Sequence, residues 1–290
     1  MKPASFVYHR PQSLAQALAL LELHGDDAKI LAGGQSLAPM LNMRLAQPAH
    51  LIDVNDLHEI AHIRDGGQSV AVGALARHDD VARSALVRSA CPLLGEAAAT
   101  VGHYAIRQRG TLGGSLAHAD PAAQLPLVAV VLDATIDVVG PGARRTLVAR
   151  DFFLSVMTTA LAPDEILVEV RFPKRAEREG AAFEIFSRRR GDFALVAVAA
   201  TVTLDDGNRV ARLRLGVGGV HPVPVALDDV AQAQCGRGAD ARWCREVAAA
   251  ARARIAPEEN RVVPAEYRRD LCEALVRRAL ERCIARAHTA

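Results

Sequence analysis

Apolar residues recur along the chain with two different periods, and the switches between them mark its organisation. Ser13 heads a segment in which Leu14, Ala17, Leu18 and Leu21 share one helical face, and Gly25-Asp26-Asp27 stops it. Lys29–Ala32 then reads as a strand that delivers the turn Gly33–Leu37 and a second helical segment over Pro39–Arg44. Leu51–Val54 is another strand. Alternation over Ile60, His62 and Arg64 reverses at Asp65-Gly66-Gly67 and returns over Ser69–Gly73, which predicts a hairpin. A short helix at Asp79–Ala82 and an alanine-rich one over Cys91–Thr100 lead into a glycine-rich stretch near the middle of the chain. Beyond it come the apolar run Leu125–Leu132, then strands at Thr135–Val139, Arg144–Val148 and Glu165–Phe172, and a charged boundary loop over Pro173–Gly180. The remainder alternates strands at Ala181–Ser187, Ala194–Leu204 and Val210–Val217 with helices over Asp240–Ile255 and Ala265–Ala287.

Composition narrows the function classes. Half of the 290 residues are apolar, enough for a sizeable core divided among two or three domains. With 35 basic and 33 acidic residues the net charge is +2, so nothing draws the chain to nucleic acid as a partner. No run approaches the roughly 20 apolar residues of a membrane span, and Met1–Phe6 lacks the apolar core of a secretory signal, so a cytoplasmic protein is expected. The five cysteines are scattered and never paired as C-x-x-C, which argues against a disulfide frame, a zinc knuckle or an iron–sulfur cluster on this chain.

Candidate chemistry concentrates in two glycine segments. In the central one, Arg107–Pro121, Gly110, Gly113 and Gly114 remove the β-carbons that would hold the backbone away from a flat or polyanionic ligand. Thr111 and Ser115 add hydroxyls there, and Arg107 and Arg109 add cationic donors. An earlier segment, Leu31–Leu37, repeats the design with Gly33, Gly34, Gln35 and Ser36. Neither contains Gly-Lys-Ser/Thr or G-x-G-x-x-G, so the nucleotide-hydrolase and Rossmann readings fail. His58-Glu59-Ile60-Ala61-His62 spells the zinc-protease pattern, but the helix available before the Asp65 turn is too short to hold both histidines on one face. It reads as a chance match, and no metal ligand set is read on this chain. Arg188-Arg189-Arg190 reads as a solvated or interface run.

Taken together and in order, Ala32–Leu37, Arg107–Pro121 and Arg188–Ala194 give the chain, over almost its whole length, a specific likeness. It resembles the flavin-binding medium subunits of molybdenum hydroxylases, the xanthine dehydrogenase and carbon monoxide dehydrogenase flavoprotein group. The resemblance implies an α+β fold of the vanillyl-alcohol-oxidase/PCMH type, with FAD between two subdomains (1–57 and 58–176), and a smaller C-terminal α+β domain (177–290) of a three-stranded sheet and helices. By the same resemblance Lys29, Ala32, Gly33, Gly34, Gln35, Ser36 and Leu37 form a first pyrophosphate and adenine-side loop. Thr111, Leu112, Gly113, Gly114 and Ser115 form a second, whose amides and hydroxyls meet the pyrophosphate. Val101, Asp120, Leu167, Asp192 and Phe193 complete the cofactor set. Gln124 stands where the pattern usually carries an acid for the flavin's polyol chain, and Phe193 keeps an aromatic ring without a tyrosine hydroxyl. The implied role is oxidoreductase electron transfer with no catalytic side chain on this subunit: a large molybdopterin subunit hydroxylates substrate, and two [2Fe-2S] clusters of a small subunit relay electrons to FAD. The implied assembly is an (αβγ)2 heterohexamer. The alternative, a self-sufficient oxidase of the same fold, would need a general base near the ring, for which His103 and His118 are the candidates.

Overall fold

In the computed structural model, which describes residues 2–259 and 263–289, the chain first builds a small parallel sheet. Strand β1 (Val7–His9) leads through helix α1 (Leu14–His24) and a 3-10 turn into β2 (Ala28–Leu31). Helix α2 (Leu37–Asn42) carries the chain on to β3 (His50–Asp53), which lies between the other two strands. Ser13 caps α1 as its position predicts, its hydroxyl accepting from the Gln16 amide. Helix α2 starts at Leu37, two residues before the predicted point, because Pro39 falls in the first turn, where a missing amide costs no hydrogen bond. The apolar pattern does not predict β1: three largely exposed residues become a strand only through their pairing with β3.

The second sheet is antiparallel throughout, in the order β4-β5-β10-β6-β7. Its β4 (Ile63–Asp65) and β5 (Ser69–Gly73) form the expected hairpin, with Gly67 taking the left-handed backbone at the tip. A helical block follows: α3 (His78–Arg83), α4 (Ala85–Ala90), α5 (Pro92–Thr100), α6 (Tyr104–Arg107), α7 (Leu112–His118) and α8 (Gln124–Val131). Every residue of α8 is buried, which is why Leu125–Leu132 shows a continuous apolar run and no helical stripe. The chain then forms β6 (Thr135–Gly140), β7 (Ala143–Val148), α9 (Ala149–Phe152) and the small hairpin β8 (Phe153–Ser155) and β9 (Thr158–Thr159). Finally β10 (Ile166–Pro173) inserts between β5 and β6.

The C-terminal sheet has three long antiparallel strands, β11 (Glu179–Phe186), β12 (Val196–Leu204) and β13 (Val210–Gly218), with a two-residue edge strand β14 (Val225–Ala226). Helices α10 (Asp228–Gln232), α11 (Ala241–Arg254) and α12 (Ala265–Ala287) complete it. Both faces of this sheet are covered, in strict alternation along each strand. Ala182, Val196, Val198 and Ala200 face the core made with α11 and α12, whereas Ala181, Phe183, Ala197 and Ala199 join the core of the preceding helices and sheet. Strand β11 starts inside the segment read as a charged loop. Glu179 is buried there, and burial raises its carboxyl above the ordinary range while Arg214 and the Thr203 hydroxyl oppose the rise. Arg282 on α12 donates to Glu96 on α5 at 3.1 Å and also pairs with Glu184 on β11, tying the C-terminal helix to the helical block.

Candidate functional site

The ends of β2 and β3 bring the two glycine segments into direct contact. Gly33 is buried, and a β-carbon there would overlap the backbone carbonyl of Arg109, so this approach requires glycine. Gly114 on α7 faces Ala32 at the same junction. Just beyond β3, Asn55 donates its Nδ2 to the Ala32 carbonyl at 2.8 Å and accepts from Arg77 Nη2 at 2.7 Å. Arg77 Nη1 in turn donates to the Arg109 carbonyl at 2.5 Å. One half-buried guanidinium therefore ties both segments together. Neither Asn55 nor Arg77 belongs to a recognisable motif, and a lone arginine between a strand and a helix carries no signal of this role in the sequence.

The two segments are not equivalent as donors. In the central one, the Leu112 amide donates to Ala76 O (3.0 Å), Gly113 to Ala74 O (2.8 Å) and Ser115 to Thr111 O (3.0 Å). The Gly114 amide donates to the Thr111 hydroxyl at 3.1 Å, which makes buried Thr111 the N-cap of α7. These amides already have acceptors, whereas the Thr111 amide, the Thr111 hydroxyl proton and the partly buried Ser115 side chain meet none among the described residues. The expected presentation of amides by the central segment therefore narrows, over Thr111–Ser115, to that of Thr111. In the first segment, by contrast, the amides of Gly33, Gly34, Gln35 and Ser36 meet no acceptor among the described residues. Gly34, at φ of +70°, turns this run, and the exposed Lys29 lies on the strand that leads to it. A turn of free amides beside hydroxyl and ammonium donors suits a pyrophosphate, so the residues present fit an FAD cofactor.

The third segment reaches the same region. A β-carbon on Gly191, whose φ is +92°, would collide with the His103 ring, so the Arg188–Ala194 arch lies against the loop before α6. In that loop the Val101 and Gly102 carbonyls each accept from Arg107 Nη1 at 3.1 Å. Asp192 and Phe193 are exposed on the arch, and Phe193 leaves 60% of its surface open although it is large and apolar. Leu167 is buried on β10. Asp120 Oδ1 accepts from the Ala122 amide at 2.8 Å. Gln124 is buried at the start of α8 and donates to the Thr100 carbonyl at 3.4 Å. His118 ends α7.

Residues 4–175, more than half of the chain, match the family described as the FAD binding domain in molybdopterin dehydrogenase. The chain belongs to that family. Residues 181–283 match the CO dehydrogenase flavoprotein C-terminal domain. Among known relatives, the 6-hydroxypseudooxynicotine dehydrogenase complex subunit alpha of Paenarthrobacter nicotinovorans is 39% identical, over 99% of this chain and 97% of its own length. The carbon monoxide dehydrogenase medium chain of Hydrogenophaga pseudoflava is 37% identical over 99% of each chain. A solved structure of carbon monoxide dehydrogenase from that organism superimposes with a TM-score of 0.94, and quinoline 2-oxidoreductase from Pseudomonas putida 86 does so at 0.94 with 32% identity, each covering 99% of both chains. The α+β FAD-binding fold with an added C-terminal domain, implied by resemblance, is thus the fold of this chain, an oxidoreductase subunit.

Within this FAD-binding domain, His78 supports the central segment. It is buried, its ring fills the space that a β-carbon on Gly110 would need, and its amide donates to the Gly110 carbonyl at 3.0 Å. Burial, and then the charges of Arg107 and Arg77, push its pKa down to about 4, so the imidazole is neutral at neutral pH. The unfolded chain takes up that proton near 6.5. Stability from this site is therefore complete above about pH 6.5 and is lost as pH falls from there toward 4, to the extent of about 3 kcal/mol. Melting temperatures measured across that window should fall less steeply in His78→Phe than in the parent; equal slopes would show that another group carries the acid response.

The zinc-protease spelling does not assemble in the FAD-binding domain. His58–Ile60 is a single 3-10 turn, Glu59 Oε1 accepts from the Leu14 amide at 2.9 Å, and His62 Nε2 pairs with buried Glu169 at 2.8 Å.

Proposed function

We propose that this chain is the electron-transfer subunit of a molybdenum hydroxylase, with FAD at the junction of the three converging segments. The observation that carries the reading is the contact of Gly33 with Arg109, which sets a run of free amides against the central segment. When bound, FAD would supply the redox chemistry between the [2Fe-2S] clusters of a small subunit and an external acceptor. The residues of this chain bind and orient. The amides of Gly33–Ser36, with Ser36, Ser115 and Lys29, hold the pyrophosphate and adenine side, while Asp120 and Gln124 offer acceptors to the polyol chain. Val101, Leu167, Asp192 and Phe193 surround the ring system. Subdomains 1–57 and 58–176 would flank the cofactor, and the domain 177–290 would close the third side.

Relatives named as medium chains support a large and a small partner subunit; in the proposed assembly, a cytoplasmic (αβγ)2 heterohexamer, the large one carries molybdopterin and the small one the [2Fe-2S] clusters. The test is an absorption spectrum of the purified chain, acid release and mass analysis of the chromophore, then native mass of the co-expressed complex. Flavin bands with FAD released, and the mass of two copies of each subunit, are expected. A protein that stays colourless with added FAD, both alone and in the complex, would sink the assignment.

A further inference from the structure

The small parallel sheet carries a second cluster of chemistry, at the opposite end of β3 from Asn55. In the register Val7↔His50 and His9↔Ile52, His9 and His50 project from the same face as Ile52. Ile52 packs in one core with Ala17 and Leu21 of α1, and His24, three residues after Leu21, ends that helix. Two strands and a helix end thus deliver three imidazoles to one seam.

The geometry is tight. His9 Nε2 and His50 Nδ1 are 2.9 Å apart, and the rings of His24 and His50 stack at 3.6 Å between centroids with 14° between planes. The His9 ring lies 5.1 Å from His24 and 5.2 Å from His50. One ring nitrogen of each histidine lies within 4.8 Å of those of the other two, and all three residues are partly buried. Zinc–nitrogen bonds of about 2.0–2.1 Å in a tetrahedral site place ligand nitrogens about 3.4 Å apart. The His9–His50 pair is already near that separation, and the others close by side-chain rotation.

Histidine ligates through a ring-nitrogen lone pair, and three imidazoles meet at this seam. An all-imidazole set excludes the oxygen-seeking cations calcium and magnesium and suits zinc, nickel or copper.

We propose that His9, His24 and His50 bind one divalent transition-metal ion of the zinc class, with a fourth position open to water, and that the ion fastens the end of α1 to β1 and β3. The role is that of a staple for the subdomain that presents the Gly33–Ser36 turn, and it is independent of which cofactor that turn holds.

The test uses the untagged full chain, purified without a metal-affinity step, stripped with chelator and titrated with zinc chloride by calorimetry. One equivalent of zinc per chain is expected, with a melting temperature raised by roughly 5 °C at saturating zinc. His24→Gln and His9→Asn should each weaken zinc binding by at least about 100-fold, the loss of one ligand in three. His58→Gln, outside the cluster, should bind as the parent does. Unchanged circular dichroism in either ligand variant suffices to show that the loss is not unfolding. Absence of stoichiometric binding in the parent, or tight binding that survives both ligand variants, would overturn the site.

Discussion

Replacing Gly33 by valine is expected to strip the flavin from the protein. The β-carbon would fall on the Arg109 carbonyl and within van der Waals radii of Gly110 Cα, both backbone atoms that cannot swing aside as a side chain would. Overpacking of this kind costs about 1–3 kcal/mol, and here the strain is relieved by parting the two glycine segments, whose contact aligns the free amides. Each 1.4 kcal/mol is about a tenfold loss of affinity, so retained flavin should drop by tenfold or more. The ratio of flavin to protein absorbance after gel filtration measures it. Gly95→Ala is the control: its β-carbon meets Val87 at an ordinary 3.5 Å inside α5, so flavin should be kept and stability should rise by up to about 1 kcal/mol. Full flavin retention in Gly33→Val would mean that the contact does not position the cofactor.

Arg77→Met should have the next largest effect, by a different route. It leaves space filled but takes the donors from Asn55 Oδ1 and the Arg109 carbonyl, which now receive them at 2.7 Å and 2.5 Å. Hydrogen bonds from a charged group contribute about 1.5–3 kcal/mol, so the melting temperature should fall by several degrees and FAD affinity by roughly tenfold. Arg77→Lys should rescue little of either, because one ammonium on a flexible stem does not reproduce a fork held against two acceptors. Titration of the apoprotein with FAD distinguishes the cases. A lysine variant that binds as the parent does would reduce Arg77 to a bulk positive charge.

How legible this was depends on where each requirement is satisfied. The Ser13 cap and the β4–β5 hairpin with Gly67 at its tip answer to neighbours a few residues away, so residue type alone announces them. The Arg188–Ala194 arch was likewise visible as a motif, although its seat against His103 was not. Segments 31–37 and 107–121 look alike on paper because both satisfy the same local rule. Their difference comes from Ala74 and Ala76, which follow β5 and take the Leu112 and Gly113 amides, while nothing comparable reaches Gly33–Ser36. The same holds for Arg77, for β1 and for the three histidines, whose partners lie roughly 15 to 45 residues away along the chain and meet only when the sheets form. The sequence by itself determined the family, the class of cofactor and the residues without which the backbone could not turn, since these depend on side-chain type and short-range sterics. Only the tertiary structure decided which amides remain free, because a hydrogen-bond donor is spent by whatever acceptor the fold brings to it.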